Sequence, residues 1–252
     1  MNICILTGAS SGLGEEFLKE SVNSLSNIDE YWIIARNLEK LKLSASKYSA
    51  NIRCIPLDLT KLESVNELKG LLDEAKPTIK ALINNAGFGK LGNVWEVSYT
   101  DQFDMVNLNC ASLSALCAMS INYMDEGSFI LNVSSIASFA PNPRMTCYSS
   151  TKAYVTSYTR SLRFELRNKK INACVCCPGP MATAFLSAAG IEKGSSHTFD
   201  TLPYCDPKMV AKNSLKAAKN GKGVYTPRLF FKFYRLLAKL LPTSLVMHIS
   251  KT

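Results

Sequence analysis

Histidine is almost missing from this chain: only His197 and His248 occur in 252 residues. Neither belongs to a motif, so both read as surface or packing residues and other side chains must carry any chemistry. No Gly/Ser-rich or Pro-rich linker interrupts the sequence, and no repeat or low-complexity block is present, which implies a single domain over residues 1–252. With 47% hydrophobic and 19% charged residues the chain can bury a substantial core, which excludes a disordered polypeptide. The first apolar run, Asn2-Ile3-Cys4-Ile5-Leu6, has no basic segment before it and no cleavage pattern after it. A secretory signal is therefore not expected, and a cytoplasmic location is.

Acidic residues are absent from Pro207 onward, where Lys208, Lys212, Lys216, Lys219, Lys222, Arg228, Lys232, Arg235, Lys239 and Lys251 are all basic. The formal charge of +9 is thus concentrated at one end, which argues against a nucleic-acid-binding surface. The nine cysteines are odd in number and scattered, which excludes a disulfide scaffold and suits a reducing compartment. Cys174 and Cys177 form C-x-x-C, but within a strand they point to opposite faces, and no second pair completes a zinc site. No metal site is expected; these read as buried thiols.

What is present is an alternation. Short apolar runs at Asn2–Leu6, Tyr31–Ala35, Ile52–Leu57, Ala81–Asn84, Ser128–Val133, Ile171–Cys177 and Gly223–Thr226 read as strands. Longer helical patterns separate them, at Gly14–Leu25, Leu38–Tyr48, Leu62–Ala75, Thr100–Met124, Tyr148–Arg167 and Pro207–Lys219. Strands apolar on both faces, each followed by a helix, predict an α/β fold: a doubly wound, Rossmann-like parallel sheet of about seven strands flanked by helices. Ligands of such sheets bind beyond the carboxyl ends of the strands, and the motifs below all fall there.

Thr7-Gly8-Ala9-Ser10-Ser11-Gly12-Leu13-Gly14 follows the first strand and opens the first helix. Gly8 permits a sharp turn, Gly12 lets the backbone approach a pyrophosphate and Gly14 allows close helix packing, while free amides at the helix start attract the phosphates. This T-G-x-x-x-G-x-G spacing resembles the short-chain dehydrogenase/reductase family. So do Asp58-Leu59, Asn84-Asn85-Ala86-Gly87, Tyr148-x-x-x-Lys152 and Pro178-Gly179-Pro180-Met181-Ala182-Thr183, in the family's order over residues 1 to about 190.

The resemblance implies cofactor contacts from Gly8, Ser10, Ser11, Gly12, Leu13, Gly14, Asp58, Leu59, Asn85, Ala86, Gly87, Tyr148, Lys152, Pro178, Gly179, Met181 and Thr183. It further implies a catalytic set of Asn109, Ser135, Tyr148 and Lys152. Asp58 stands where the family contacts adenine, and the segment 178–183 where it embraces the nicotinamide. Ser135, thirteen residues before Tyr148, is preferred to its neighbour Ser134, and Asn109 to Asn107 as the residue that holds a water for the lysine. Tyr148 and Lys152 are four apart in a helical pattern and share a face. A nearby ammonium favours phenolate and would bring the tyrosine below its ordinary value near 10. The reaction implied is hydride transfer between a nicotinamide and a carbonyl or secondary alcohol, Tyr148 acting as general acid and base. A nucleotide-sensing protein on the same fold is the alternative.

The second strand ends in Ala35-Arg36-Asn37, without the acidic residue that would select NAD(H). Arg36, assisted by Asn37, suits a 2′-phosphate, so NADP(H) is expected, although Ser11 stands where a basic residue of the glycine loop is usual. Residues 184–204 should cover the substrate. Their apolar members Phe185, Leu186, Ile191, Phe199 and Leu202, with Met181, predict a steroid, lipid-derived or aromatic compound. Residues 228–241 of the tail 227–252 place cations on one stripe of a helix about 21 Å long, too short to span a bilayer. It is either a lid packed on the body or a sister subunit, or a peripheral contact with an anionic membrane surface. The family also implies a homodimer or homotetramer through the helices carrying Asn109 and Tyr148.

Overall fold

The computed structural model describes residues 1–249; Lys251 of the basic tail lies outside the described residues, with positions 250 and 252. Seven strands form the sheet: β1 Asn2–Thr7, β2 Glu30–Ala35, β3 Ile52–Pro56, β4 Thr78–Asn84, β5 Phe129–Val133, β6 Asn172–Cys176 and β7 Val224–Tyr225. All pair in parallel, in the order β3-β2-β1-β4-β5-β6-β7. The order reverses between β1 and β4, and a crevice opens there at the carboxyl ends.

Between the strands run α1 Gly12–Ser24, α2 Leu38–Ala45, α3 Leu62–Ala75, α4 Tyr99–Val106, α5 Leu113–Ile121 and α6 Thr146–Glu165. After β6 come α7 Ala184–Ala188, α8 His197–Thr201, α9 Pro207–Lys219, α10 Leu229–Leu240 and α11 Thr243–Ile249. Alternation along each strand feeds two cores. Ile3, Ile5, Trp32, Leu82, Ile130 and Val175 pack with Leu68 of α3, Leu116 of α5 and Val155 of α6. Cys4, Leu6, Ile33, Ile83 and Leu131 pack on the other face with Phe17 of α1, Leu41 of α2, Leu215 of α9 and Phe231 of α10. Cys174 lies in this second core and Cys177 in the first, on opposite faces as the strand period requires.

The helix expected over Thr100–Met124 is not continuous. A π-helical segment, Asn107–Ser112, separates α4 from α5. The wider turn carries Asn109, whose side chain is held by the Phe88 backbone and Thr151. A single extra residue in a turn leaves hydrophobic periodicity almost unchanged, so the pattern did not reveal it. The segment expected as a covering loop contains two short helices, α7 and α8, and α11 follows the predicted tail helix.

Candidate active site

The glycine turn is fixed by contacts a side chain would prevent. Gly8 adopts φ +69° and donates its amide to the Ile34 carbonyl at 2.7 Å, tying the end of β1 to β2. A Cβ at Gly14 would stand 1.9 Å from the Gly8 carbonyl oxygen, so α1 begins directly on the turn. Ser11 occupies the N-cap without a side-chain cap bond, which leaves the first amides of α1 and their positive dipole end open to an anion. Gly12 rests against Thr183, whose Cβ would lie 3.1 Å from an added methyl, so the first motif touches the last. The third is stitched to the first: Asn85 and Ala86 donate backbone amides to the Thr7 hydroxyl, and the Asn85 amide reaches the Thr7 and Gly8 carbonyls.

At the end of β2 the exposed Arg36 lines the same cleft as Asn37 and Lys40. The Asn37 oxygen caps α2 by accepting from the Lys40 amide at 2.9 Å, so only its NH2 can serve an anion. Lys40 was not foreseen; its i+4 spacing from Arg36 was the available signal. Asp58 turns one carboxylate oxygen onto the Thr60 amide and hydroxyl, at 3.1 and 2.8 Å, which orients the group at the cleft wall.

Tyr148 and Lys152 occupy successive turns of α6, with the lysine nitrogen 5.7 Å from the phenol ring centroid. Lys152 is 5% exposed and donates to the Val133 carbonyl at 2.9 Å. The Ser135 hydroxyl accepts from the Ala137 amide at 3.1 Å and borders the same cleft as the Tyr148 phenol, whose pKa it acts to lower. Ser134 is engaged elsewhere: its hydroxyl donates to the Lys152 carbonyl at 2.7 Å and pairs with Thr156. Asn109 does not line the cleft. It is buried behind the lysine, and a Cβ on Gly87 would meet Asn109 Oδ1 at 2.8 Å and Lys152 Nζ at 3.3 Å. The other predicted residues, Ser10, Leu13, Leu59, Pro178, Gly179 and Met181 included, all border the one cleft.

The electrostatics correct one expectation. Burial is the dominant effect on both groups and drives each toward its neutral form. It pushes the Tyr148 phenol up to about 12, against the lowering pull of Ser135, and takes the Lys152 ammonium down to about 8. Lys152 therefore does not bring the phenol below its ordinary range in this state.

The cleft has a volume of about 820 Å3. Met181, Phe185, Leu186, Phe199 and Leu202 line it, and the Phe185 ring lies 5.6 Å from that of Tyr148. Ile191 departs from the expectation: it is buried with Met105 and Met145 and anchors the covering segment from behind. Phe230, Phe231 and Tyr234 of α10 complete the wall, a role the sequence did not disclose. Neither histidine borders the cleft. Among the described residues no cluster of His, Cys, Asp or Glu could hold a metal ion.

Residues 2–193 match the model of the short chain dehydrogenase family. An uncharacterized oxidoreductase of Staphylococcus aureus (strain USA300) is 27% identical over 191 residues, which cover 74% of this chain and 80% of that protein. A short-chain dehydrogenase from Sphingobium yanoikuyae in complex with NADPH superposes with a TM-score of 0.78 at 25% identity, over 91% of this chain and 89% of its own. The bulky-bulky ketone specific alcohol dehydrogenase from Comamonas testosteroni gives 0.76 at 25% identity, over 95% and 92%. The seven-stranded sheet, the joined glycine and N-N-A-G motifs and these likenesses agree: the chain belongs to the short-chain dehydrogenase/reductase family of oxidoreductases.

Proposed function

We propose that the protein is an NADP(H)-dependent enzyme that interconverts a hydrophobic ketone and its secondary alcohol. The observation that carries this reading is the convergence of the Tyr148 phenol, the Ser135 hydroxyl and the Lys152 ammonium on the cleft that holds the glycine turn. The residues present fit a nicotinamide dinucleotide. Left-handed Gly8 and Gly12 and the uncapped start of α1 suit a pyrophosphate, held by Gly8, Ser10, Ser11, Gly12, Leu13 and Gly14. Asp58 and Leu59 would border the adenine, Asn85, Ala86 and Gly87 the middle of the cofactor, and Pro178, Gly179, Met181 and Thr183 the nicotinamide. Arg36 and Lys40, with Arg36 in place of an acidic residue directly after β2, favour a 2′-phosphate.

When bound, the dinucleotide supplies or accepts the hydride. In reduction the Tyr148 phenol, protonated at neutral pH and held more firmly so by burial, donates its proton to the substrate oxygen. Ser135 holds that oxygen by a hydrogen bond and Lys152 stabilises the negative charge left on the phenol. Lys152 uses one donor on Val133, which leaves two for ribose hydroxyls and for water. Asn109 acts from behind, fixing Phe88 and Thr151 around the lysine. In oxidation the proton runs the other way.

The complete set of Asn109, Ser135, Tyr148 and Lys152 favours catalysis over nucleotide sensing. Exposed Tyr99, Phe103 and Val106 on α4, with Tyr154 on α6, support a homodimer or homotetramer paired through these helices. Nine free thiols support a reducing compartment such as the cytoplasm. The test is dinucleotide consumption with steroid, aromatic and aliphatic ketones, offered with NADPH and with NADH in parallel. Turnover with NADPH on apolar ketones is expected; turnover with NADH alone, or with neither, would refute the reading.

A further inference from the structure

Helix α10 has three faces. Phe231 is fully buried against Gly179, and Tyr234 packs on Phe139 with ring centroids 5.9 Å apart, so this side binds the body and walls the cleft. At 100° per residue, Lys232 and Lys239 run along one border of that side. Leu229, Phe233, Leu236 and Leu240 form a ridge on the outside, 81%, 59%, 52% and 69% exposed, which makes it open apolar surface and not core. Leu245 of α11 is exposed as well. Four large apolar side chains on one exposed helix face are more than a soluble surface ordinarily carries in one place.

We propose that α10 docks the protein on an anionic bilayer surface, its outer ridge entering the interface and Lys232 and Lys239 meeting the headgroups. Charge selects this occupant. Helix α10 carries Lys232, Arg235 and Lys239, and neither it nor α11, which contacts it, bears a carboxylate side chain, so the charge on the ridge's own element is wholly positive. A second copy docked on the same face would set Lys232 and Lys239 against like charges, which is unfavourable. Among the described residues no helix is long and apolar enough to cross a membrane, and twelve residues with a polar border suit the interfacial position. Because Phe230, Phe231 and Tyr234 of this helix line the cleft, docking puts its wall at the lipid interface. Resting on the reductase reading above, the substrate class then narrows to carbonyl compounds dissolved in the bilayer.

Sedimentation of the full-length protein with vesicles tests this, using phosphatidylglycerol mixed with phosphatidylcholine against phosphatidylcholine alone. The protein should pellet with the anionic vesicles and be released as salt shortens the Debye length from about 10 Å at 0.1 M to about 3 Å at 1 M. Lys232→Gln with Lys239→Gln should bind about 30-fold more weakly, at about fivefold per cation. Phe233→Ser with Leu236→Ser should abolish pelleting while turnover of a water-soluble ketone is unchanged. Failure of the wild type to pellet, or equal pelleting of the lysine variant, overturns the proposal. So does an oligomer that the Phe233/Leu236 variant dissociates in the absence of vesicle binding, which would assign the face to a second copy. Turnover without vesicle binding overturns docking and leaves the reductase reading intact; vesicle binding without turnover of any ketone supports docking and overturns that reading.

Discussion

Replacing Lys152 by methionine removes a buried ammonium and keeps a side chain of similar length. Burial lowers this lysine from the ordinary 10.5 to about 8, so between those values the unfolded chain holds a proton the folded chain has lost. A lowered lysine value is a penalty on the charged form, fully present below pH 8 and gone above pH 10.5. The difference, 10.5 minus 8 or about 2.5, at about 1.36 kcal/mol per pH unit gives about 3 kcal/mol at pH 7 and under about 1 kcal/mol at pH 10. Methionine also forfeits the bond to the Val133 carbonyl, a loss of about 1 kcal/mol, but that loss is the same at every pH. Buried thiols such as Cys4 and Cys117, which burial pushes up to about 12, titrate in both proteins and cancel. Urea denaturation of both proteins from pH 7 to pH 10 isolates the effect. The stability of wild type relative to Lys152→Met should rise by about 2–3 kcal/mol across that range. Parallel profiles would refute the buried ammonium.

The two neighbouring serines should separate by function. Ser135→Ala removes the hydroxyl beside the phenol and the acceptor of the Ala137 amide and should lower kcat about 10- to 100-fold, whereas Ser134→Ala, which loses bonds to Lys152 and Thr156, should lower the melting temperature and leave kcat within a factor of a few. Arg36→Ala with Lys40→Ala should raise KM for NADPH about 10- to 100-fold and leave KM for NADH within a factor of a few, read from initial rates. Gly179→Ala drives a methyl to within 2.3 Å of the Phe231 ring and should cost about 1–3 kcal/mol in thermal unfolding, recovered in part by adding Phe231→Leu.

Much of this was legible because parallel sheets buried on both faces write themselves as short apolar runs, and the observed strands begin and end within three residues of the runs read from the sequence. The glycine turn was legible for a related reason: a left-handed residue and a carbonyl 1.9 Å from an added Cβ leave glycine as the fitting choice. What escaped the sequence was relational. The basic stripe of α10 could be drawn on a helical wheel, but both remaining sides are apolar, and only packing on Gly179 tells the bound face from the outer ridge. Lys40 escaped although the start of α2 at Leu38 was read correctly, because that the first turn of this helix borders the cleft is a matter of tertiary placement. Ile191 was read as lining because apolarity does not distinguish a wall from the anchor behind it. The electrostatic correction has the same origin: spacing puts Lys152 beside Tyr148, while burial decides which charges survive there.

The most direct test of the proposed chemistry compares wild type and Tyr148→Phe in a single turnover, following bound NADPH by fluorescence after an apolar ketone is added. The phenylalanine variant should bind NADPH within a few-fold of wild type and oxidise it about 100- to 10,000-fold more slowly, the range a positioned proton donor supplies. A variant that oxidises NADPH at the wild-type rate would contradict the assignment of Tyr148 as the proton donor.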